Sequence, residues 1–314
     1  MTTNNSSPPK PKRRWYQFSL WTLLIVGLAV PSGCRPSRQQ RAIDAYNRGL
    51  HRCISGDYEG AICDLDEAVR LDPTLAEAFS ERALAYCGMG RFDQAIADLT
   101  RAIHLDPDYI PAWYNRGNTF ADRHEHGKAI ADFTEAIRLD ADNAKAFCNR
   151  GDAYWNSGEY GRAIADYTEA IRLDPKDVIA YNGRGIARAS IGDYENAVAD
   201  WMEAIRIDPK FAHPYYNRGL NSARQGDYVG AIADYSDAIE INPTDPDVWV
   251  NRGNAYLRSR QFDRALADYS EAIRLDPRLA LAHYNRGITY REQGQHAQAE
   301  ADFARAKELG YEPE

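Results

Sequence analysis

A short mark, Asn-Arg-Gly, constrains the fold of this chain more than any other feature, because it returns every 34 residues. It is most complete in Trp113-Tyr114-Asn115-Arg116-Gly117-Asn118-Thr119-Phe120. Its Arg falls at Arg48, Arg82, Arg116, Arg150, Arg184, Arg218, Arg252 and Arg286, with no insertion or deletion between them. A fixed period of about 20–50 residues marks a stacked array of like units. Eight such repeats run from Ala42 to Pro313, and their unbroken register overrides the two-domain expectation that a chain of 314 residues would otherwise raise.

One repeat is enough to read the local structure. In the third, Ile110 to Ala141, Trp113, Gly117 and Phe120 are spaced i, i+4, i+7, as are Ala129, Phe133 and Ala136. Each set lies on one face of a helix. His124 to Gly127 separates them as a turn, and six other repeats are punctuated there by Gly56, Gly90, Gly158, Gly192, Gly226 and Gly294. A glycine just past a helix end adopts the left-handed conformation without a Cβ penalty. The second helix closes at Leu-Asp-Pro or a variant, as in Leu105-Asp106-Pro107, and Pro opens the next repeat. No segment alternates with period two for long enough to make a strand. Each repeat is therefore predicted to be a helical hairpin.

Residue sizes suggest how the hairpin closes. The first helix carries Gly49, Gly117, Gly151, Gly185, Gly219, Gly253 and Gly287 at one site, with Ala83 as the exception. The second carries Ala61, Ala95, Ala129, Ala163, Ala197, Ala231, Ala265 and Ala299 at one site. Small residues on both partners predict a close approach of the two backbones, with Phe133, Tyr167, Trp201, Tyr235, Tyr269 and Phe303 filling the space beside them. A lone hairpin cannot bury both of its apolar faces, so neighbours must stack.

In its period, its paired Gly and Ala sites, the aromatic that follows them and the terminal Pro, the sequence resembles the tetratricopeptide repeat family across 272 of its 314 residues. The resemblance implies an all-α fold, a right-handed superhelical solenoid of eight 34-residue helical hairpins with a concave groove. The first helix departs from the pattern where its aromatic (Tyr86, Phe120, Tyr154, Tyr256, Tyr290) becomes Arg52, Arg188 or Ser222, and looser packing is expected in those repeats.

Two polar positions recur in all eight repeats: the Arg of the mark, and an Asp at Asp64, Asp98, Asp132, Asp166, Asp200, Asp234, Asp268 and Asp302. The Arg lies about 100° round its helix from the packed glycine. It is expected to pair with the Asp beside the helix contact, its stem covering apolar surface. Glu67/Arg70, Glu135/Arg138, Glu169/Arg172, Glu203/Arg206 and Glu271/Arg274 are i, i+3 pairs of a solvated face. The Asn of the mark sits roughly 200° from the glycine and points away from the hairpin contact. It is present as Asn47, Asn115, Asn149, Asn217, Asn251 and Asn285, and Glu81 and Gly183 break the row. In the family this site lines the groove. An amide offers both donors and acceptors, so a row of them suits the backbone of an extended peptide. Tyr114 and Tyr216, with Tyr46 and Tyr284, stand one residue earlier and would form a wall for stacking. Family members that grip a C-terminal carboxylate do so with Lys and Arg. The corresponding positions here are mostly Ile43, Glu77, Pro111, Ile179, Asp247 and Leu281, with Lys145 and His213 as exceptions, which argues against such a clamp.

With 46 Asp and Glu against 38 Lys and Arg, and with Lys10, Lys12, Arg13 and Arg14 all ahead of the repeats, the array is acidic. A nucleic-acid partner would call for a basic face, so none is expected. His124-Glu125-His126 is the one cluster resembling catalytic chemistry, but it lies in a turn and lacks the i, i+4 spacing of a helical metal pair. Cys53, Cys63, Cys87 and Cys148 have no metal-ligand spacing and are expected as thiols. No enzyme, cofactor or metal site is expected.

Ahead of the array, residues 1–14 are expected to be a disordered basic N-terminus, 15–34 a signal or anchor segment, and 35–41 a linker to the repeats at 42–313. The apolar run Trp15 to Val30 would reach about 24 Å as a helix, short of a hydrocarbon core of about 30 Å. Its tighter part, Leu20 to Val30, suits the apolar core of an export signal. Pro31-Ser32-Gly33-Cys34 then resembles a bacterial lipobox, with Pro31 where Leu is usual, so a lipidated Cys34 and an uncleaved anchor both stay open. Either places the repeats on the extracytoplasmic, periplasmic side of a bacterial membrane. The leading expectation is a membrane-tethered scaffold that binds extended protein segments. The alternative is a self-associating array, a homo-oligomer built through uncapped terminal repeats.

Overall fold

The computed structural model describes residues 36–312, and the leader, with its candidate span and Cys34, lies outside them. The chain divides into two compact halves after Ser157. The first half holds α1 (Arg38–Ser55), α2 (Tyr58–Leu71), α3 (Ala76–Gly88), α4 (Phe92–Leu105), α5 (Ile110–Asp122), α6 (His126–Leu139) and α7 (Ala144–Asn156). The second holds α8 (Tyr160–Leu173), α9 (Val178–Ser190), α10 (Tyr194–Ile207), α11 (Ala212–Arg224), α12 (Tyr228–Ile241), α13 (Pro246–Arg258), α14 (Phe262–Leu275), α15 (Ala280–Glu292) and α16 (His296–Glu308). Among the described residues every regular element is a helix, as the period requires. The array starts earlier than Ala42: Ser37 accepts the Gln40 N–H at 3.0 Å and opens α1 at Arg38, inside the stretch read as a linker.

The hairpins close on their neighbours. One apolar cluster joins Ala45, Tyr46, Ala61 and Leu65 of the first hairpin to Ala78 and Ala85 of α3. In the second half, Tyr216, Ala231 and Tyr235 are joined in the same way to Val248 and Ala255 of α13. α3 and α13 thus each serve two hairpins.

The glycine site makes room for a ring as well as for the partner backbone: a Cβ on Gly287 would stand 2.7 Å from the Phe303 ring and 3.2 Å from the Ala299 carbonyl oxygen. A Cβ on Gly117 would stand 2.8 Å from the Phe133 ring, and one on Gly253 would stand 2.7 Å from the Tyr269 ring. The ring sixteen residues on lies directly over the glycine. In the second repeat Ala83 takes the glycine site and shares a core cluster with Leu99, whereas in the first Leu65 stands in the ring's place and a Cβ on Gly49 would lie 2.5 Å from it.

The turns hold even where their usual residue is missing. His124 (φ 60°) and Arg260 (φ 59°) take the left-handed conformation in the place that glycine fills in the other repeats. At the far end of the first seven hairpins an Asp, or Asn242 in the sixth, accepts a backbone N–H two residues on, as Asp106 does from Asp108 at 3.0 Å. Asp140 holds the same turn at 3.2 Å although Ala141 stands where Pro is usual. This local acceptor fixes the turn with or without the Pro.

Candidate functional site

Two polar seams run along the hairpins. The first is built on the Arg of the mark. Arg116 Nε and Nη2 donate to the two oxygens of Asp132 at 2.7 and 2.8 Å, and its Nη1 donates to Thr100 Oγ1 of the preceding hairpin at 3.0 Å. Arg252 repeats this with Asp268 at 2.8 Å twice and Ser236 at 3.0 Å. Arg286 does so with Asp302 and Ser270. In the second repeat the outer partner is Asp66. The guanidinium also lies over an aromatic three residues back, 5.1 Å from the Trp113 ring for Arg116. That indole donates to the Pro107 carbonyl at 2.9 Å and pins the turn. One Arg therefore joins three helices. Burial pushes the Asp132 carboxyl up and Arg116 opposes that shift, so the pair holds because its charges are mutually satisfied.

At two of the three places where the first helix loses its aromatic, the seam gains a second cation. Arg188 Nη1 reaches Asp200 Oδ2 at 2.7 Å, beside Arg184. Arg52 Nε reaches Asp64 Oδ2 at 3.2 Å. Of the expected i, i+3 pairs, Glu135/Arg138, Glu169/Arg172, Glu203/Arg206 and Glu271/Arg274 form on the exposed surface. Glu67 instead meets Arg48 at 2.8 Å.

The second seam contains the candidate binding residues. Asn47 is exposed, Asn149, Asn251 and Asn285 are half-buried, and Asn115 and Asn217 are 5% and 7% exposed. The spacing along the helix leaves out what the neighbouring first helix covers. Asn149 Nδ2 donates to Tyr114 Oη and to Asn118 Oδ1, both at 2.8 Å. Asn251 Nδ2 donates to Tyr216 Oη at 3.0 Å and to the Asp247 carbonyl at 3.0 Å. Asn217 reaches Asn182 Oδ1 at 2.9 Å, and Asn285 reaches Asn254 Oδ1 at 2.9 Å. Each of these amides bridges back to the preceding first helix at one of two offsets, except for the Asp247 contact within its own helix.

Tyr114 and Tyr216 place their rings on the core rather than on an open wall. Tyr114 packs on Phe133 at 5.8 Å and Tyr216 on Tyr235 at 6.0 Å between centroids. Their hydroxyls carry the seam. Asn118, Asn182 and Asn254, not singled out in the sequence, belong to it. The signal that would have found them is the recurrence of amides 31 and 35 residues before an Asn of the row.

The second place of the row differs. Glu81 takes the Asn position and is 6% exposed. Burial pushes its carboxyl up to about 7. Its backbone carbonyl lies 3.9 Å from Cys53 Sγ. Burial also pushes the Cys53 thiol up to about 12 and raises the Tyr109 phenol, with Glu81 adding to both. Cys53, Cys63, Cys87 and Cys148 are free thiols. Among the described residues no three metal-ligating side chains converge, and no helix is long and apolar enough to cross a membrane.

Comparison with known proteins agrees with the helical-hairpin fold. Tetratricopeptide repeat models match residues 148–210, 246–279 and 269–301, and a further repeat model of that family matches 49–90, 83–123, 117–158 and 223–259. The chain belongs to the tetratricopeptide repeat family. Among solved structures, a tetratricopeptide repeat protein from Parabacteroides merdae ATCC 43184 is similar at 20% identity and a TM-score of 0.64, over 80% of this chain and 99% of that one. A chain of the APC/C hetero-tetramer Cut9-Hcn1 is similar at 20% identity and a TM-score of 0.63, over 79% of this chain and 49% of its own. These two share the fold. MamA protein is similar at 27% identity and a TM-score of 0.50, over 55% of this chain and 94% of that one. No curated protein matches the sequence.

Proposed function

We propose that the chain is a membrane-tethered scaffold that binds extended segments of partner proteins along its Asn seam. The observation that carries this reading is the fixed amide. Asn149 has both Nδ2 hydrogens engaged on Tyr114 and Asn118, so what its side chain still offers is the Oδ1 acceptor. A periodic set of oriented carbonyl oxygens suits the backbone N–H groups of an extended chain, whose own hydrogen bonds are otherwise met only by water. This narrows the sequence expectation, in which each amide both donated and accepted. Fold-level kinship supports an interaction role by analogy.

The tether rests on the leader: Arg13-Arg14, the apolar stretch Leu20 to Val30 and Cys34 stand in the order of an exported, anchored protein. Fractionation of cells producing the full chain, in wild-type and Cys34→Ser forms, tests it. Loss of membrane association in the variant supports lipidation at Cys34, and retention supports an uncleaved anchor. Cytoplasmic protein in both forms would refute the tether. Binding is tested with a positional-scanning library of short capped peptides against the full chain. Selection of extended sequences by a constant monomer supports the groove reading. Concentration-dependent mass with no peptide bound favours self-assembly instead.

A further inference from the structure

The Asn seam has one anomalous place. By the 34-residue lattice, Glu81 stands where Asn149 stands two repeats later, with Tyr46 and Leu50 in the places of Tyr114 and Asn118. An amide there would be neutral, whereas the side chain present is a carboxylic acid that is 94% removed from solvent. The obvious internal counter-ion is committed elsewhere: Arg82, the next residue, holds both oxygens of Asp98 at 2.7 Å and also reaches Asp66 at 2.6 Å. Cys53 and Tyr109, the titratable groups that face Glu81 from α1 and from the start of α5, are both held neutral by burial. Glu77, one turn earlier on α3, adds a second half-buried acid on that side, near the Tyr109 phenol. Burying a carboxylate costs several kcal/mol unless it is paired, and among the described residues no cation pairs with it.

We infer that Glu81, seconded by Glu77, is the place at which the Asn seam of the first half receives a basic side chain, Lys or Arg, of the extended protein segment bound there. This rests on the peptide-binding reading proposed above and gives it a specificity. The ligand's cation supplies the charge missing from the fold, while the neighbouring amides meet its backbone. A protonated Glu81 acting only as a core polar group is the competing account, and it gives the ligand no charge preference.

The test uses the full chain and the positional-scanning library of short capped peptides, followed by solution affinities for the best peptide and for its copy with norleucine in place of the basic residue. Wild-type protein is expected to select Lys or Arg at one position and to lose about tenfold or more in affinity for the norleucine copy. Glu81→Gln and Glu81→Asn, the second of which restores the residue usual in the row, are expected to fold and to bind both peptides equally. Glu77→Gln is expected to reduce the preference without abolishing it. Peptide binding with no basic preference, or a preference that survives in both Glu81 variants, overturns the inference and leaves the scaffold reading standing. Failure of the wild-type chain to bind any peptide overturns both.

Discussion

The Arg seam and the Asn seam follow the same lattice, yet only the first is uniform. From Arg82 to Arg286 the described Arg–Asp contacts repeat with the same sixteen-residue offset, and most add a hydroxyl from the preceding hairpin. The Asn seam changes partner at each step: a phenol and an amide for Asn149, an amide for Asn217, a phenol and a main-chain carbonyl for Asn251, and a carboxylate in the place of the amide at Glu81. The difference has a physical cause. A charge held out of water tolerates no unpaired partner, so every Arg must keep its Asp. Neutral hydrogen bonds contribute about 1 kcal/mol each, so exchanging an amide partner costs less than stranding a charge. The first seam joins neighbouring hairpins within each half, and the second differs between repeats, as the proposed partner-reading role would require.

The largest expected effect comes from breaking a charge pair. Asp132→Ala should strand the guanidinium of Arg116, whose side chain is 15% exposed, and cost about 3–5 kcal/mol, read as a fall in thermal midpoint or in the urea midpoint of the first half. A loss below about 1 kcal/mol would make the seam an ordinary surface feature.

Glu81 comes next and separates the halves by pH. Its folded carboxyl titrates at about 7, above the ordinary value of 4.5. The folded state therefore binds the extra proton in that window. Stability is greatest below about pH 4.5 on this group's account and falls as pH rises through 7, by on the order of 3 kcal/mol. Facing groups do not blur this, since burial keeps Cys53 and Tyr109 protonated throughout. Thermal midpoints of wild type and Glu81→Gln between pH 5 and 8 should diverge upward in favour of the variant, and parallel curves would remove the charge from the account.

A packing variant should fall lower. Gly253→Leu drives a side chain into the Tyr269 ring, where a Cβ alone would stand 2.7 Å away, and overpacking costs about 1–3 kcal/mol. The smallest effect is expected for Asn251→Ala, which removes the bonds to Tyr216 and Asp247 and should cost about 0.5–1.5 kcal/mol. A double-mutant cycle with Tyr216→Phe should show the two residues to be coupled; additive losses would mean that the 3.0 Å contact contributes nothing.

The sequence carried the architecture because a strict period, a glycine site and a turn signal all give the same answer eight times. It also carried the Arg116–Asp132 pairing, since both members recur in phase. It did not carry the surroundings of Asn149. Helical geometry places a residue relative to its own axis, and the partners of this amide, Tyr114 and Asn118, belong to another helix. Nor did the spacing reveal that Arg188, in losing an aromatic, would join Arg184 on Asp200.

The most direct test of the division of labour between the seams is the affinity of a library-selected peptide for the Asn115/Asn149/Asn217/Asn251→Ala variant, measured at a temperature where its circular dichroism still matches wild type. A single Asn→Ala change should weaken binding by about tenfold or less, and the four together should weaken it far more while the helical signal persists. Wild-type affinity in the folded quadruple variant would contradict the assignment of the Asn seam as the partner-binding face.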